Sequence, residues 1–365
     1  MSRNGGPSAA FDQSILDVLR IAFRITWRTP RLAVYAVRML RNQLAAAKRR
    51  ERNQKPGVVV PPFVIFSVTG RCNLACDGCY ANRLHRSDDE LSDERVGEVL
   101  GEARDAGVSV MLLAGGEPLM RSRMIEMARS VPEILFLLFT NGWLLDREVA
   151  RELRGAPNII PVVSQEGGDC HTDERRGQGT AEAVSSAMER LKGVGAFFGT
   201  SMTLTSENVE TATSEATIRG LMRRGCKLFY FINYVPVEPG TESLQLSQDQ
   251  VTMLERRLVE YRKRIPALFI AFPHDEVALG GCLAAGRGFV HIDPRGDVQP
   301  CPFSPFADRN LTAMSFVDAM GSPLLERIRS SDLVLDETDG RCALWKRRGW
   351  VEKLASQEGT RRGNP

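Results

Sequence analysis

The chain has 365 residues, 43% hydrophobic and 25% charged, the composition of an ordinary globular protein with enough length to bury one large core or two smaller ones. Its formal charge of +3 is unevenly held: residues 1–56 carry twelve Lys/Arg against three Asp/Glu, a local +9, so the remaining 309 residues net −6. No apolar run reaches the roughly 18–20 residues of a spanning helix and no secretory signal is visible, which leads us to expect a reducing cytoplasm.

In chain order, residues 1–10 (MSRNGGPSAA) are expected to be disordered. Residues 11–55 form a helical arm on either side of Pro30, with Ile15, Leu16, Leu19, Ala22, Phe23 and Trp27 at helical spacing and Arg20, Arg24, Arg28 and Arg31 among them. This arm reads two ways. Either it lies on an anionic membrane surface, making the protein peripheral on the inner face, or its apolar stripe packs on the rest of the chain or a partner. Aromatic-basic interleaving is lacking, so no nucleic acid is expected. PGVVVPP (56–62) cannot continue a helix and sets the first boundary, giving an arm over 1–61.

From Pro62 the text alternates strand and helix six times: strand-like runs at 64–70, 108–116, 134–142, 159–167, 196–205 and 227–235 are separated by helical stretches. That pattern argues an α/β fold with a parallel sheet, either a partial (β/α)6 barrel over 62–275 or an open doubly wound sheet. The runs end in small or polar residues, and the carboxyl ends of parallel strands form the ligand-binding face. After residue 275 the style changes. FVHID, a Pro-Arg-Gly-Asp turn and a short return strand to Cys301 suggest a small cysteine-bearing α+β extension over 276–365.

The first run leads into RCNLACDGCY, which places Cys72, Cys76 and Cys79 within eight positions at the ligand face. Three thiolates suit either a zinc site with a fourth ligand from elsewhere or an iron–sulfur cluster with one iron left open. The second run ends in LLAGGEPLM (112–120).

Cys-x3-Cys-x2-Cys followed by GGEP at a strand end resembles the radical S-adenosylmethionine (SAM) superfamily. Phe139-Thr140-Asn141-Gly142 looks like its third-strand motif. Ser164-Gln165-Glu166-Gly167 with Asp173–Gly177 is similar to its fourth-strand element, and Tyr234-Val235-Pro236 resembles its sixth-strand adenine contact. The resemblance covers about residues 62–240. It implies a partial (β/α)6 barrel, a [4Fe-4S] cluster on Cys72, Cys76 and Cys79, and SAM chelating the open iron. It further implies a flavodoxin- or ferredoxin-type electron donor, reductive cleavage of SAM to a 5′-deoxyadenosyl radical, and hydrogen abstraction from a substrate. Carried onto these positions, Gly115 and Gly116 admit the methionine moiety and Glu117 faces its ammonium or braces the loop. Asn141, Ser164, Glu166 and Tyr234 contact SAM, and Arg175 or Arg176 pairs with its carboxylate.

Cys282-x13-Gly-x4-Cys301 matches the opening of the Twitch and SPASM extensions, implying an auxiliary iron–sulfur cluster with Cys342 as third ligand. Trp345 stands where a CxxC partner is expected, which leaves the fourth ligand open. Cys170, in QEGGDCHTDE, is either a hydrogen-atom donor to a substrate radical or an incidental loop thiol; beside it His171 is a proton-transfer candidate or a surface residue. His274 and Asp275 are candidates for the substrate pocket, and Cys226 is expected to be structural. The expected substrate is a peptide, sugar, lipid-linked or other small molecule undergoing oxidation, epimerisation or bond formation. The competing class is a non-catalytic iron–sulfur electron carrier or sensor.

Overall fold

Apolar runs without polar alternation make strands buried on both faces, and such strands pair in parallel under a coat of helices. The computed structural model describes residues 15–21, 25, 30–85, 89–331, 335, 341–357 and 361–362. The expected disorder of residues 1–10, and Ala22, Phe23, Arg24, Trp27 and Arg28 of the arm, lie outside the described residues. Seven strands run parallel: β1 (Phe63–Thr69), β2 (Val110–Gly115), β3 (Leu135–Thr140), β4 (Ile159–Ser164), β5 (Gly199–Leu204), β6 (Leu228–Asn233) and β7 (Leu268–Phe272). The first six fall on the six expected runs. β7 adds a seventh beyond that count, because its five residues are too few to carry a periodic signal.

The expected FVHID strand is β8 (Phe289–Ile292), and it joins the main sheet. β8 pairs parallel with β1 from Phe63↔Phe289 onward, and β9 (Val298–Gln299) folds back antiparallel on it. The sheet order is β7-β6-β5-β4-β3-β2-β1-β8-β9. The hairpin of the cysteine-bearing extension thus prolongs the barrel sheet past β1. Among the described strands β7 and β8 do not pair, so the sheet is a partial barrel; the Phe272 and Phe289 rings face each other across the gap at 6.3 Å.

The helices start where side-chain caps are coded. Ser92 Oγ accepts from Arg95 N, Asp146 accepts from the amides of Glu148 and Val149, and Ser247 and Gln250 form a capping box. The arm helix Pro30–Asn53 begins with proline, whose missing amide costs nothing there. Ala36, Met39, Gln43, Ala46 and Arg50 recur every three to four residues and are buried. Arg50 donates to the Gly107 carbonyl, and Asn53 Nδ2 to those of Asp105 and Ala106 (both 3.2 Å), at the end of helix Asp93–Ala106. Of the two readings of the arm, packing on the barrel is the one with contacts. No helix among the described residues is long and apolar enough to cross a membrane.

Candidate active site

β1 delivers the chain to the loop that carries Cys72, Cys76 and Cys79, all half-buried free thiols. This loop is pinned at both ends. At its start Thr69 Oγ1 and Gly70 N both donate to Glu90 Oε1 (2.7 and 2.8 Å). Glu90 is held by buried Arg121 (3.1 Å), which also donates to Asp93 (2.6 Å) and to the carbonyls of Val68 and Leu91. Gly116 N donates to Thr69 O (2.7 Å) and Glu117 N to Arg71 O (2.8 Å). At its far end Asp77 N donates to Arg175 O (2.9 Å), and the Tyr234 ring lies on Gly78 so closely that a Cβ there would fall 2.5 Å from the phenol oxygen. Arg121 and Glu90 are positioning residues that sequence reading missed. No motif marks them; only their burial as a pair reveals the role.

Gly115 has φ +116°, and a Cβ on it would sit 2.3 Å from Thr69 O; on Gly116 it would sit 1.9 Å from Arg71 O. The chain's own backbone thus requires both glycines, a use distinct from the expected approach to methionine. Glu117 is 1% exposed. Its Oε2 accepts from Asn141 N (2.7 Å) and its Oε1 from Leu119 N (3.1 Å), so the carboxylate ties the end of β2 to the end of β3. This is the bracing role of the two expected. Burial raises its carboxyl to about 7, while the amides of Asn141 and Leu119 pull the other way. A raised carboxyl stabilises the fold fully below the unfolded value of 4.5, and that contribution is lost as pH rises through about 7. We therefore expect the cluster-free protein to lose on the order of 1–3 kcal/mol between pH 5 and 8, and Glu117→Gln to flatten that slope, read from urea midpoints at the two pH values.

Asn141 Nδ2 donates to Asn73 Oδ1 (2.8 Å) and lies 3.9 Å from Cys72 Sγ, which brings β3 to the cysteine loop. Ser164 Oγ shares a hydrogen bond with Ser201 Oγ (2.9 Å), and Tyr234 donates to Thr241 Oγ1 (2.9 Å). Glu166 is fully buried. One of its oxygens accepts from both Arg175 (2.6 Å) and Arg176 (2.7 Å), the other from Asn208 Nδ2 (3.5 Å). Glu166, Arg175 and Arg176, expected to contact SAM separately, are thus clasped to one another, with one positive charge in excess. That excess lies beside Cys76: burial raises its thiol, while Arg176 and Arg175 draw it down. Burial also raises the Cys72 thiol, opposed by the Leu74 amide.

Cys170 is not brought to the triad. It is exposed on helix Asp169–Arg176 and donates to Glu174 (3.2 Å), a hydrogen bond that raises its thiol. Cys170→Ala is expected to leave SAM cleavage within about twofold of wild type, as for most surface substitutions; product analysis of the reconstituted enzyme reads this. Asp275, a candidate for the substrate pocket, pairs with Arg262 (2.8 Å). Cys226 is buried against Met188, as expected.

The second set of cysteines also converges. Cys282 and Cys301 are buried and Cys342 half-buried; burial, a hydrogen bond with Cys342 and the nearby Cys282 together push the Cys301 thiol well up. The two sets share a wall. Tyr80, next to Cys79, packs edge-on against Phe303 at 5.2 Å, and His85 Nε2 donates to Pro302 O (2.7 Å), the residue after Cys301. Burial holds His85 down at about 4, so it is neutral. Its ring lies 4.7 Å from that of His291, which is fixed by Ser67 Oγ and Gln299 Oε1 (both 2.8 Å).

Among the described residues neither set draws together tightly enough for a single metal ion. A cluster whose irons each take one thiolate tolerates that wider spacing, and three thiols beside an excess guanidinium suit a soft, anionic cluster with one iron left over. Residues 66–214 match the radical SAM superfamily model. The chain carries a radical SAM domain. An AdoMet-dependent heme synthase from Methanosarcina barkeri is 25% identical over 78% of this chain and 88% of its own length. A mycofactocin maturase from Mycobacterium tuberculosis is 28% identical over 68% of this chain and 66% of its own, just under two thirds of that relative. A PqqA peptide cyclase from Granulibacter bethesdensis is 25% identical over 75% and 78%. The fold is shared with Streptococcus suis SuiB, solved with precursor peptide SuiA (TM-score 0.64, 19% identity, 84% of this chain and 74% of that one). A radical SAM domain implies an enzyme in which SAM and a four-iron cluster, when bound, would supply a 5′-deoxyadenosyl radical that takes hydrogen from substrate.

Proposed function

We propose that the protein is a two-cluster radical SAM enzyme: Cys72, Cys76 and Cys79 hold the SAM-binding cluster, and Cys282, Cys301 and Cys342 hold an auxiliary one in a Twitch/SPASM-like extension. The observation that carries this is the meeting of Cys301 with Cys342 and Cys282 in a site that shares the Tyr80–Phe303 wall with the first. A single-cluster enzyme has no use for a second thiol triad at that place. Gly115, Gly116 and Glu117 shape the turn beside the first triad, and the Glu166–Arg175–Arg176 clasp sets the charge around it. Phe139 packs on Tyr230 in the lumen (5.1 Å), and Ile232 and Thr203, paired in register, share the lumen side of β6 and β5. These walls exclude water around a reacting C–H bond. A peptide is the substrate class that the PqqA peptide cyclase relative favours. A flavodoxin- or ferredoxin-type donor and a reducing cytoplasm suit clusters on free thiols.

The test is anaerobic reconstitution of wild type and of Cys282→Ala/Cys301→Ala/Cys342→Ala, with iron and sulfide counted. We expect the variant to lose about half the iron and to keep the absorbance of one cluster. Equal iron in the two proteins sinks the auxiliary cluster. Absence of 5′-deoxyadenosine from fully loaded wild type under several reductants would sink the chemistry as well.

A further inference from the structure

Beneath the cysteine face, the barrel is not filled. A chamber of about 880 Å³ opens at the amino-terminal ends of the strands, lined by their first residues: Phe63, Val110, Leu135, Ile159, Leu228 and Leu268. Protein interiors are packed to the density of organic crystals, and a volume within the range of about 300–1,000 Å³ is that of a ligand pocket, not of a packing fault. Its roof is an aromatic layer: Tyr230 packs on Phe139 at 5.1 Å and stacks with Phe272 at 5.7 Å. That layer separates the chamber from the carboxyl ends of the strands, where the SAM-binding cysteines sit. Its floor is the arm, through Leu19, Tyr35 and Met39.

The lining chemistry narrows the occupant. Inside, the walls are mostly aliphatic and aromatic; the two acidic residues among them are held by the chain itself, buried Glu276 accepting from Leu283 N (3.4 Å) and Asp275 pairing with Arg262 (2.8 Å). The Tyr35 hydroxyl, buried against them, has no hydrogen-bond partner among the described residues. Exposed charged side chains, Asp17, Arg154 and Arg262, border the same chamber where it meets solvent. A mainly apolar interior with a charged mouth fits an elongated apolar body carrying one polar end, and offers far fewer inward donors and acceptors than a sugar or nucleotide requires. We propose that this chamber binds one long hydrocarbon chain, acyl or prenyl, threaded between the arm and the strand ends with its polar end at the mouth. The arm is then the wall of a binding site, which gives a reason for a helix of 24 residues to be laid across the barrel's lower end.

The proposal does not rest on either cluster, so its failure leaves the proposed function standing. Full-length protein, without cluster reconstitution, is titrated with cis-parinaric acid, whose fluorescence rises in apolar surroundings. Oleic acid and geranylgeraniol as competitors distinguish an acyl from a prenyl source. Saturable binding is expected, weakened at least about tenfold by Ile160→Trp or Met39→Trp, which fill the chamber, and unchanged by Val34→Glu on the 71% exposed outer side of the arm. Should the filled variants not fold, photolabelling of wild type with a diazirine fatty acid decides. Labels confined to residues 15–21 and 35–39 and the starts of β3 and β4 support the chamber. No saturable binding, binding retained in both filled variants, or labels confined elsewhere overturns it.

Discussion

Gly116→Ala is expected to cost the radical SAM domain its first cluster before it costs the fold. The added Cβ would lie 1.9 Å from the Arg71 carbonyl oxygen and 2.4 Å from its carbon. Both are backbone atoms, so no side chain can swing away to make room. Arg71 must move, and its carbonyl is the acceptor of Glu117 N. The next residue is Cys72. A shift at Arg71 therefore passes directly to the thiols, while the buried sheet below is untouched. Overpacking of this kind costs about 1–3 kcal/mol, within the reach of a chain of this size. The cluster, which needs three thiols placed together, is less tolerant. We expect reconstituted iron at the first site to fall severely, and 5′-deoxyadenosine formation by at least about a hundredfold, since misplacement by about 1 Å has that effect on catalysis. Gly101→Ala is the matched control. It lies within helix Asp93–Ala106 with nothing within 4 Å of its Cβ position, and is expected to be neutral or stabilising by up to about 1 kcal/mol. Full iron and SAM cleavage in Gly116→Ala would mean that the loop does not depend on this contact.

How far the sequence could be read depended on whether a residue acts through local pattern or through a distant partner. The six βα units were legible because each apolar run is long enough to declare its period, and the cysteine loop because its spacing is local. β7 was too short to declare itself. The parallel pairing of β8 with β1 joins residues more than two hundred positions apart, and no local pattern encodes such a partner. The same limit hid the site's supports. Arg121 reads as any arginine after a turn, yet it holds Glu90, and Glu90 holds the first turn of the cysteine loop. The glycines were legible as small; what they are small for required the opposing carbonyls. The arm's stripe at Ile15 and Leu19 was legible as apolar, but its counterpart, the first residues of the strands, was not. Hydrophobic period states that a face is buried and leaves its partner unnamed.

The Glu166 clasp separates a structural from a ligand-binding role, and its removal has the largest expected effect on stability. Glu166 has no exposure, and Arg175 and Arg176 side chains retain only 17% and 12%. Glu166→Ala leaves two nearly buried guanidinium groups with their main acceptor gone, a loss of about 3–5 kcal/mol for a broken buried pair. Glu166→Gln keeps the shape but removes the charge, and should cost less. The consequence extends to the cysteine loop, because the Arg175 carbonyl holds Asp77 between Cys76 and Cys79. If Glu166 serves mainly as a ligand contact, both variants keep their urea midpoints without SAM and lose only SAM affinity. If the clasp is structural, the midpoints fall without SAM, in the order Gln then Ala, and reconstituted iron falls with them. We expect the second pattern. A carboxylate with both oxygens occupied by protein donors has little capacity left for a ligand, and the free donors on the two arginines, with their one excess charge, are what remains to meet an anionic cluster or carboxylate. An unchanged midpoint in Glu166→Ala, with SAM affinity lost, would reverse that assignment and return Glu166 to the cofactor.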